Sequence, residues 1–206
     1  MTDVRAVLFD CDGTLVEARA WHRDALSHAL KQICGITLDE KRTAEFEALP
    51  TRDKLKLLVD SGDMHSDVAG KVWELKQKFT IDIIEANAAL DPSKVMMHQW
   101  LESQGMRIAC VTNCIRETAE MMLEKTGQLE HIELLVSNQD VTHAKPCAEG
   151  YVVAMVKLGV MPCECVVVED SDKGVTAGLA TGAHVMKVRD AEALDATSLK
   201  RFIRAL

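Results

Sequence analysis

Apolar and polar positions follow two different rhythms along this chain. Short, mostly apolar runs occupy Val4–Phe9, Arg107–Val111, Leu134–Val136, Cys165–Val168 and Val185–Val188. Runs of this length predict buried strands. Helix-length stretches lie between the later ones, at Ser93–Gln104, Ile115–Lys125, Glu149–Leu158 and Asp172–Thr181. Gly105, Gly127, Gly159 and Gly182 fall near their ends, where a left-handed C-cap favours glycine. Such alternation predicts an α/β fold, a parallel sheet covered by helices on both faces.

Residues 17–90 break that rhythm. They hold helix-like segments at Ala20–Ile33, Glu40–Ala48, Asp53–Val59 and Asp67–Ile84, and no convincing strand. In "WHRDALSHALKQI", Trp21, Ala25, Leu26, Ala29, Leu30 and Ile33 recur at helical spacing. An all-helical block inserted after the first strand, ending near Asp91-Pro92, reads as a second small domain. The expected organisation is a sheet core at 1–16 and 91–206 with a helical cap at 17–90.

Composition narrows the choice of partners. The chain has 206 residues, 48% of them hydrophobic, enough for one sizeable domain with a modest insert. Its net charge of −8 disfavours sequence-independent nucleic-acid binding, which rests on a cationic face. A small anionic substrate would then need a local lysine or a bound cation. No apolar run approaches the roughly 20 residues that span a bilayer, so no membrane partner is expected. Seven scattered cysteines, and a start that leads straight into a strand, predict reduced thiols in the cytoplasm. Cys163 and Cys165 form a single Cys-x-Cys, without the second pair that would close a zinc site. His28, His65, His98, His131, His143 and His184 show no metal-ligand spacing and read as ordinary surface or seam residues.

The chemistry lies where the strands end. In open α/β sheets, ligands bind outside the carboxyl ends of the strands. The first run ends in Asp10-Cys11-Asp12, the second in Thr112-Asn113, and the run Val166–Val168 in Glu169-Asp170, while Lys145-Pro146 precedes a helix. Clustered carboxylates become tolerable around a hard divalent cation, and few-carboxylate sites suit Mg²⁺. Asp10 would attack phosphorus to form an acyl phosphate. Asp12 would protonate the leaving oxygen and later accept a proton from water. The Thr112 hydroxyl, the Asn113 amide and the Lys145 ammonium would hold phosphoryl oxygens, and Gly13 would let the loop turn its N–H groups toward the same anion. Plainer roles stand beside these. Thr112 or Asn113 could cap the helix at Ile115, Lys145 could be a solvated loop residue, and Asp170-Ser171-Asp172 could cap the next helix. Gly174, Gly178 and Gly182 read as packing and turn glycines.

With "DCDGTL", "VTN", "KP" and "VVVEDSDKG" in this order, the sequence resembles the haloacid dehalogenase-like superfamily in its phosphatase and phosphomutase branch. The resemblance covers about residues 5–17 and 93–188. It implies a Rossmann-like core, Asp10 as nucleophile and Asp12 as acid/base. It also implies Mg²⁺ held by Asp10, the Asp12 main-chain carbonyl and Asp170, with Glu169 assisting. The helical insert looks like the cap this family places after its first motif. His22, Arg52 and Lys76 are similar to substrate-side positions of the β-phosphoglucomutase-like subgroup. Glu17-Ala18 stands where relatives commonly show Asp-Ser, and Cys147-Ala148 where a second proline often follows Lys-Pro. The resulting expectation is a phosphatase for a small phosphorylated metabolite, perhaps a sugar phosphate. The alternatives are a β-phosphoglucomutase-type phosphotransferase and, more remotely, a receiver-like phospho-switch.

Overall fold

The computed structural model describes residues 3–46 and 49–206. Five parallel strands, β1 (Ala6–Phe9), β2 (Arg107–Val111), β3 (Leu134–Val136), β4 (Cys165–Glu169) and β5 (His184–Lys187), form one sheet in the order β3-β2-β1-β4-β5. The fold is therefore the expected α/β architecture. β1 occupies the centre, in register with Arg107–Cys110 on one side and Cys165–Val168 on the other. The chain grows outward in both directions from it, so the strand order reverses between β1 and β4. A crevice opens at such a switch point.

The chain divides into two compact units, one running through Glu17 and again over Ala89–Leu206, the other Ala18–Ala88. In the sheet unit, helices α5 (Pro92–Ser103), α6 (Arg116–Lys125), α7 (Glu149–Leu158), α8 (Asp172–Ala180) and α9 (Ala196–Arg204) accompany the strands. Period-2 alternation sends Ala6 and Leu8 of β1 into a core with Ala109, Val111, Val167, Tyr151 and Ala154 beneath α7 and α8. Phe9 points the other way and meets the His98 ring of α5 edge-on, with centroids 5.5 Å apart. The Asp91 side chain accepts from the Ser93 and Lys94 N–H groups, and Pro92 occupies the first turn, so α5 starts on a well-formed cap. Lys94 is buried, and its Nζ donates to the Ala191 and Leu194 carbonyls at 2.6 and 2.5 Å, tying α5 to the segment before α9.

The helical unit consists of α1 (Arg19–Cys34), α2 (Glu40–Phe46), α3 (Thr51–Asp60) and α4 (Ala69–Asn87), with a 3₁₀ turn at Ser66–Val68. Leu26, Ala29 and Leu30 of α1 pack with Phe46, Leu55, Leu58, Met64 and Val72. Gly35, at φ 68°, closes α1 in the left-handed conformation that only glycine adopts cheaply. The expected last residue of α2, Ala48, lies outside the described residues.

Element ends shift by a few residues from the sequence expectation, as frayed termini do. α9 was not expected at all. It is a short charged helix set by an Asp195/Ser198 capping box, with only Leu199 buried. His98, expected near the surface, is wholly buried. Among the described residues, no helix is long and apolar enough to cross a membrane.

Candidate active site

Asp10 follows β1 directly, and its backbone N–H donates to the Val168 carbonyl at 3.0 Å, continuing the ladder with β4. Beyond it the chain turns sharply. The Leu15 and Val16 N–H groups return to the Cys11 carbonyl at 2.9 Å, and Gly13 N–H reaches Val16 O at 2.7 Å. Gly13 sits at φ 86°, a value side-chain-bearing residues rarely adopt. This turn holds Asp12 two residues past the strand. The Cys114 thiol donates to Asp12 Oδ2 at 2.8 Å.

Lys145 binds the loops together. It is buried, and Nζ donates to Asp10 Oδ1 at 2.6 Å, Glu169 Oε1 at 2.6 Å and Val111 O at 2.7 Å. An ammonium has three donors, and all three are used. Burial alone would lower the Lys145 pKa, but the Asp10 and Glu169 carboxylates outweigh it and hold the pKa well above that of an ordinary lysine. For Asp10, burial and then the Glu169 charge push the carboxyl well above the usual range, while Lys145 pulls the other way. This is a crowded, dry arrangement in which one cation stands between two anions.

Glu169 is wholly buried. Its Oε1 also accepts from the Tyr151 hydroxyl at 2.7 Å, and Oε2 from Ser171 Oγ at 3.3 Å. Burial raises the Tyr151 pKa well above the usual value, so the phenol keeps its proton to donate. The space for this carboxylate exists because residue 174 has no side chain. A Cβ there would lie 1.9 Å from the Glu169 carboxyl carbon. Gly174, which the sequence suggested was a packing glycine, makes room for a charged group. Ser171 rather than either aspartate caps α8, accepting from Gly174 N–H at 3.1 Å.

Asp10, Glu169 and Asp170 each bring a carboxylate oxygen within 4.8 Å of the others. Three oxygen donors from carboxylates at a strand-end crevice fit a hard divalent cation. The Asp12 side chain is not part of that group.

Thr112 ends β2, its N–H donating to Val136 O at 2.9 Å, and its Oγ1 accepts from Cys114 N–H at 3.0 Å. It does not cap α6. The Gln139 side chain takes the Arg116 N–H instead. The Asn113 Oδ1 accepts from Lys145 N–H at 3.0 Å and its Nδ2 donates to Lys145 O at 3.4 Å, so the amide grips the main chain of Lys145.

In the helical unit, Lys76 is buried on α4 and its Nζ lies 3.2 Å from His22 Nδ1 of α1. The ammonium can only donate, so this nitrogen carries the lone pair. Arg52 is exposed in the first turn of α3.

Sequence reasoning missed Tyr151, Cys114 and a second layer around Gln128. Gln128 is wholly buried. It donates to Leu15 O in the Asp12 turn at 3.2 Å and to Thr126 Oγ1 at 2.8 Å, and its Oε1 pairs with His98 Nε2 at 3.0 Å. Tyr151 reads as one more apolar position in "GYVVAM", and nothing local marks Gln128.

Residues 7–188 match the sequence model of the family described as haloacid dehalogenase-like hydrolase. The chain belongs to that family. Among its relatives is hexitol phosphatase A of Escherichia coli (strain K12), 31% identical over 89% of this chain and 82% of the other. Validoxylamine A 7'-phosphate phosphatase of Streptomyces hygroscopicus subsp. limoneus is 28% identical over 92% and 89%. Among solved structures, a β-phosphoglucomutase from Clostridium difficile superposes with a TM-score of 0.83 over 98% of both chains, at 15% identity. That last likeness speaks to the fold. Within the haloacid dehalogenase-like hydrolases, this chain places Asp10, Lys145 and Asp170 on the segments that follow β1, β3 and β4, with Glu169 the last residue of β4.

Proposed function

We propose that this phosphoric monoester hydrolase is a Mg²⁺-dependent phosphatase for a small organic phosphate, of the sugar-phosphate class, acting through a phosphorylated Asp10. The observation that carries the reading is Lys145 Nζ bridging Asp10 Oδ1 and Glu169 Oε1 at 2.6 Å each, at the switch point of the sheet. A carboxylate placed where burial and a second carboxylate oppose its charge has no structural benefit that an apolar residue would not exceed. Its use is nucleophilic. Relatives named for hexitol and validoxylamine A 7'-phosphate support the substrate class.

In the first step, an Asp10 carboxylate oxygen bonds to phosphorus while the phosphorus–oxygen ester bond breaks, and Asp12 gives its proton to the departing alcohol. In the second, Asp12 takes a proton from water. The water oxygen bonds to phosphorus, inorganic phosphate leaves and the Asp10 carboxylate is restored. Lys145 draws Asp10 toward its ionised form for the first step, against burial and Glu169, Asn113 fixes the Lys145 backbone, and the Thr112 hydroxyl retains a proton for a phosphoryl oxygen. Asp10, the Asp12 carbonyl and Asp170, with Glu169 assisting, would hold Mg²⁺, which supplies charge neutralisation between the nucleophile and the incoming anion. The helical unit serves as the cap that chooses the substrate, through His22, Arg52 and Lys76. The seven free thiols fit a reducing cytoplasm, and the −8 charge fits a small-molecule partner better than a nucleic acid.

A phosphotransferase of the β-phosphoglucomutase type is the second reading. The Lys76–His22 pair favours it, as a cationic group that could hold a distal phosphate. The two part on one assay, β-glucose 1-phosphate with a trace of the bisphosphate and Mg²⁺. Free phosphate is expected, whereas glucose 6-phosphate would make the protein a mutase. Asp10→Asn is expected to lower turnover by about 10⁴-fold or more, and chelating the cation should stop wild-type turnover. Near-normal activity of Asp10→Asn would overturn the nucleophile assignment.

A further inference from the structure

The segment that carries Lys145 also carries three side chains with no part in the chemistry above. His143, Cys147 and Glu149 each bring one ligand atom within 4.8 Å of the others. Their linear pattern, His-x₃-Cys-x-Glu, matches no familiar ligand spacing, so nothing local marks the group. The pair Cys147-Ala148 stands where the family resemblance leads one to expect a second proline after Lys-Pro.

Two features show that the group is arranged before any ligand arrives. Glu149, the first residue of α7, is held by two backbone donors, with Thr142 N–H reaching Oε1 at 2.7 Å and His143 N–H reaching Oε2 at 2.8 Å. Glu149 Oε2 also lies 3.0 Å from His143 Nδ1. Cys147 adds an exposed free thiol.

We propose that His143, Cys147 and Glu149 form a surface site for a borderline-soft divalent cation, Zn²⁺, separate from the all-carboxylate group at Asp10, Glu169 and Asp170. The donor sets divide the two. A thiolate and an imidazole with one carboxylate select Zn²⁺ over Mg²⁺, and three protein ligands leave a fourth position for water. The thiol loses its proton to solvent as the metal–sulfur bond forms. The ligands flank Lys145 on both sides, so occupancy would bear directly on the segment that positions it.

Co²⁺ tests this, because its bond to a thiolate gives a charge-transfer band that a site of oxygen donors cannot produce. Titrating the full chain with Co²⁺ in excess Mg²⁺ should give a saturable band that Zn²⁺ abolishes. Cys147→Ser should remove the band, and His143→Ala should weaken binding by about 10-fold or more. Asp10→Asn and Cys163→Ser should retain it, which separates this site from the carboxylate group and from the other exposed thiol. A band that never saturates, survives Cys147→Ser or disappears in Cys163→Ser would overturn the proposal.

Discussion

Two lysines are buried in the sheet unit, and the structure treats them in opposite ways. Lys145, at the carboxyl-end rim, stands between Asp10 and Glu169, and its pKa is held well above the ordinary value. Lys94, on α5, donates to the Ala191 and Leu194 carbonyls, and burial pulls its pKa down, offset only in part by the charges of Asp91, Asp195 and Asp190. Burial alone therefore does not decide what a lysine does. Its partners decide. Carbonyl dipoles satisfy the ammonium and fasten two segments, a structural role. Two carboxylates keep the ammonium charged, while burial and the neighbouring Glu169 charge work against ionisation of Asp10, an arrangement that costs stability.

Removing each amine in turn should separate the two roles. Lys145→Met leaves Asp10 and Glu169 buried side by side without a counter-ion, and a loss of about 3–5 kcal/mol in urea unfolding is expected, together with loss of activity. Lys94→Met orphans two carbonyls, which costs about 1–3 kcal/mol, and turnover of the surviving folded protein should be unchanged. If Lys94→Met lost activity beyond its loss of folded protein, the division into rim and fastening would be wrong.

The rim was the more legible of the two regions, for a physical reason. A short apolar run ending in an acidic pair and a glycine is a local signal, and the residue types at Asp10, Thr112, Lys145 and Asp170 were read from it. What each side chain touches was not local. Lys145 and Asp10 are 135 positions apart, and no periodicity in the chain reports that Asn113 grips the Lys145 backbone. Gly174 looked like a packing glycine because the group it accommodates belongs to another element. On the α5 side almost nothing was visible. Lys94 and His98 each look like a surface residue of an amphipathic helix until the partners Leu194 and Gln128 are known. The α9 helix, with one buried residue, has too narrow an apolar stripe to announce itself.

His98 makes the α5 side sensitive to acid. Burial, partly offset by its bond to Gln128, lowers its pKa from 6.5 to about 4. The folded state therefore takes up this proton less readily than the unfolded chain. The stability it contributes is complete above pH 6.5 and is lost as pH falls toward 4, by about 3 kcal/mol in all. Urea midpoints measured between pH 7 and pH 4 should fall for the wild type and flatten for His98→Gln, which keeps a donor for Gln128 without titrating. Equal slopes in the two proteins would show that His98 is not the group responsible.

The smallest test compares two glycines one turn apart on α8. A Cβ at Gly174 would meet the Glu169 carboxyl at 1.9 Å, while one at Gly178 would meet a Val167 methyl at 2.9 Å and a Val185 methyl at 3.1 Å. Both substitutions overpack, so both should cost about 1–3 kcal/mol by thermal or urea unfolding. Only the first displaces a charged group bonded to Lys145 and Tyr151. Gly174→Ala should therefore lower kcat well beyond its loss of folded protein. Gly178→Ala moves two valines against each other and should leave kcat of the folded fraction near that of the wild type. Equal effects on kcat would mean that the Glu169 carboxylate tolerates displacement, and the rim would then be held together by Lys145 and Asp10 alone.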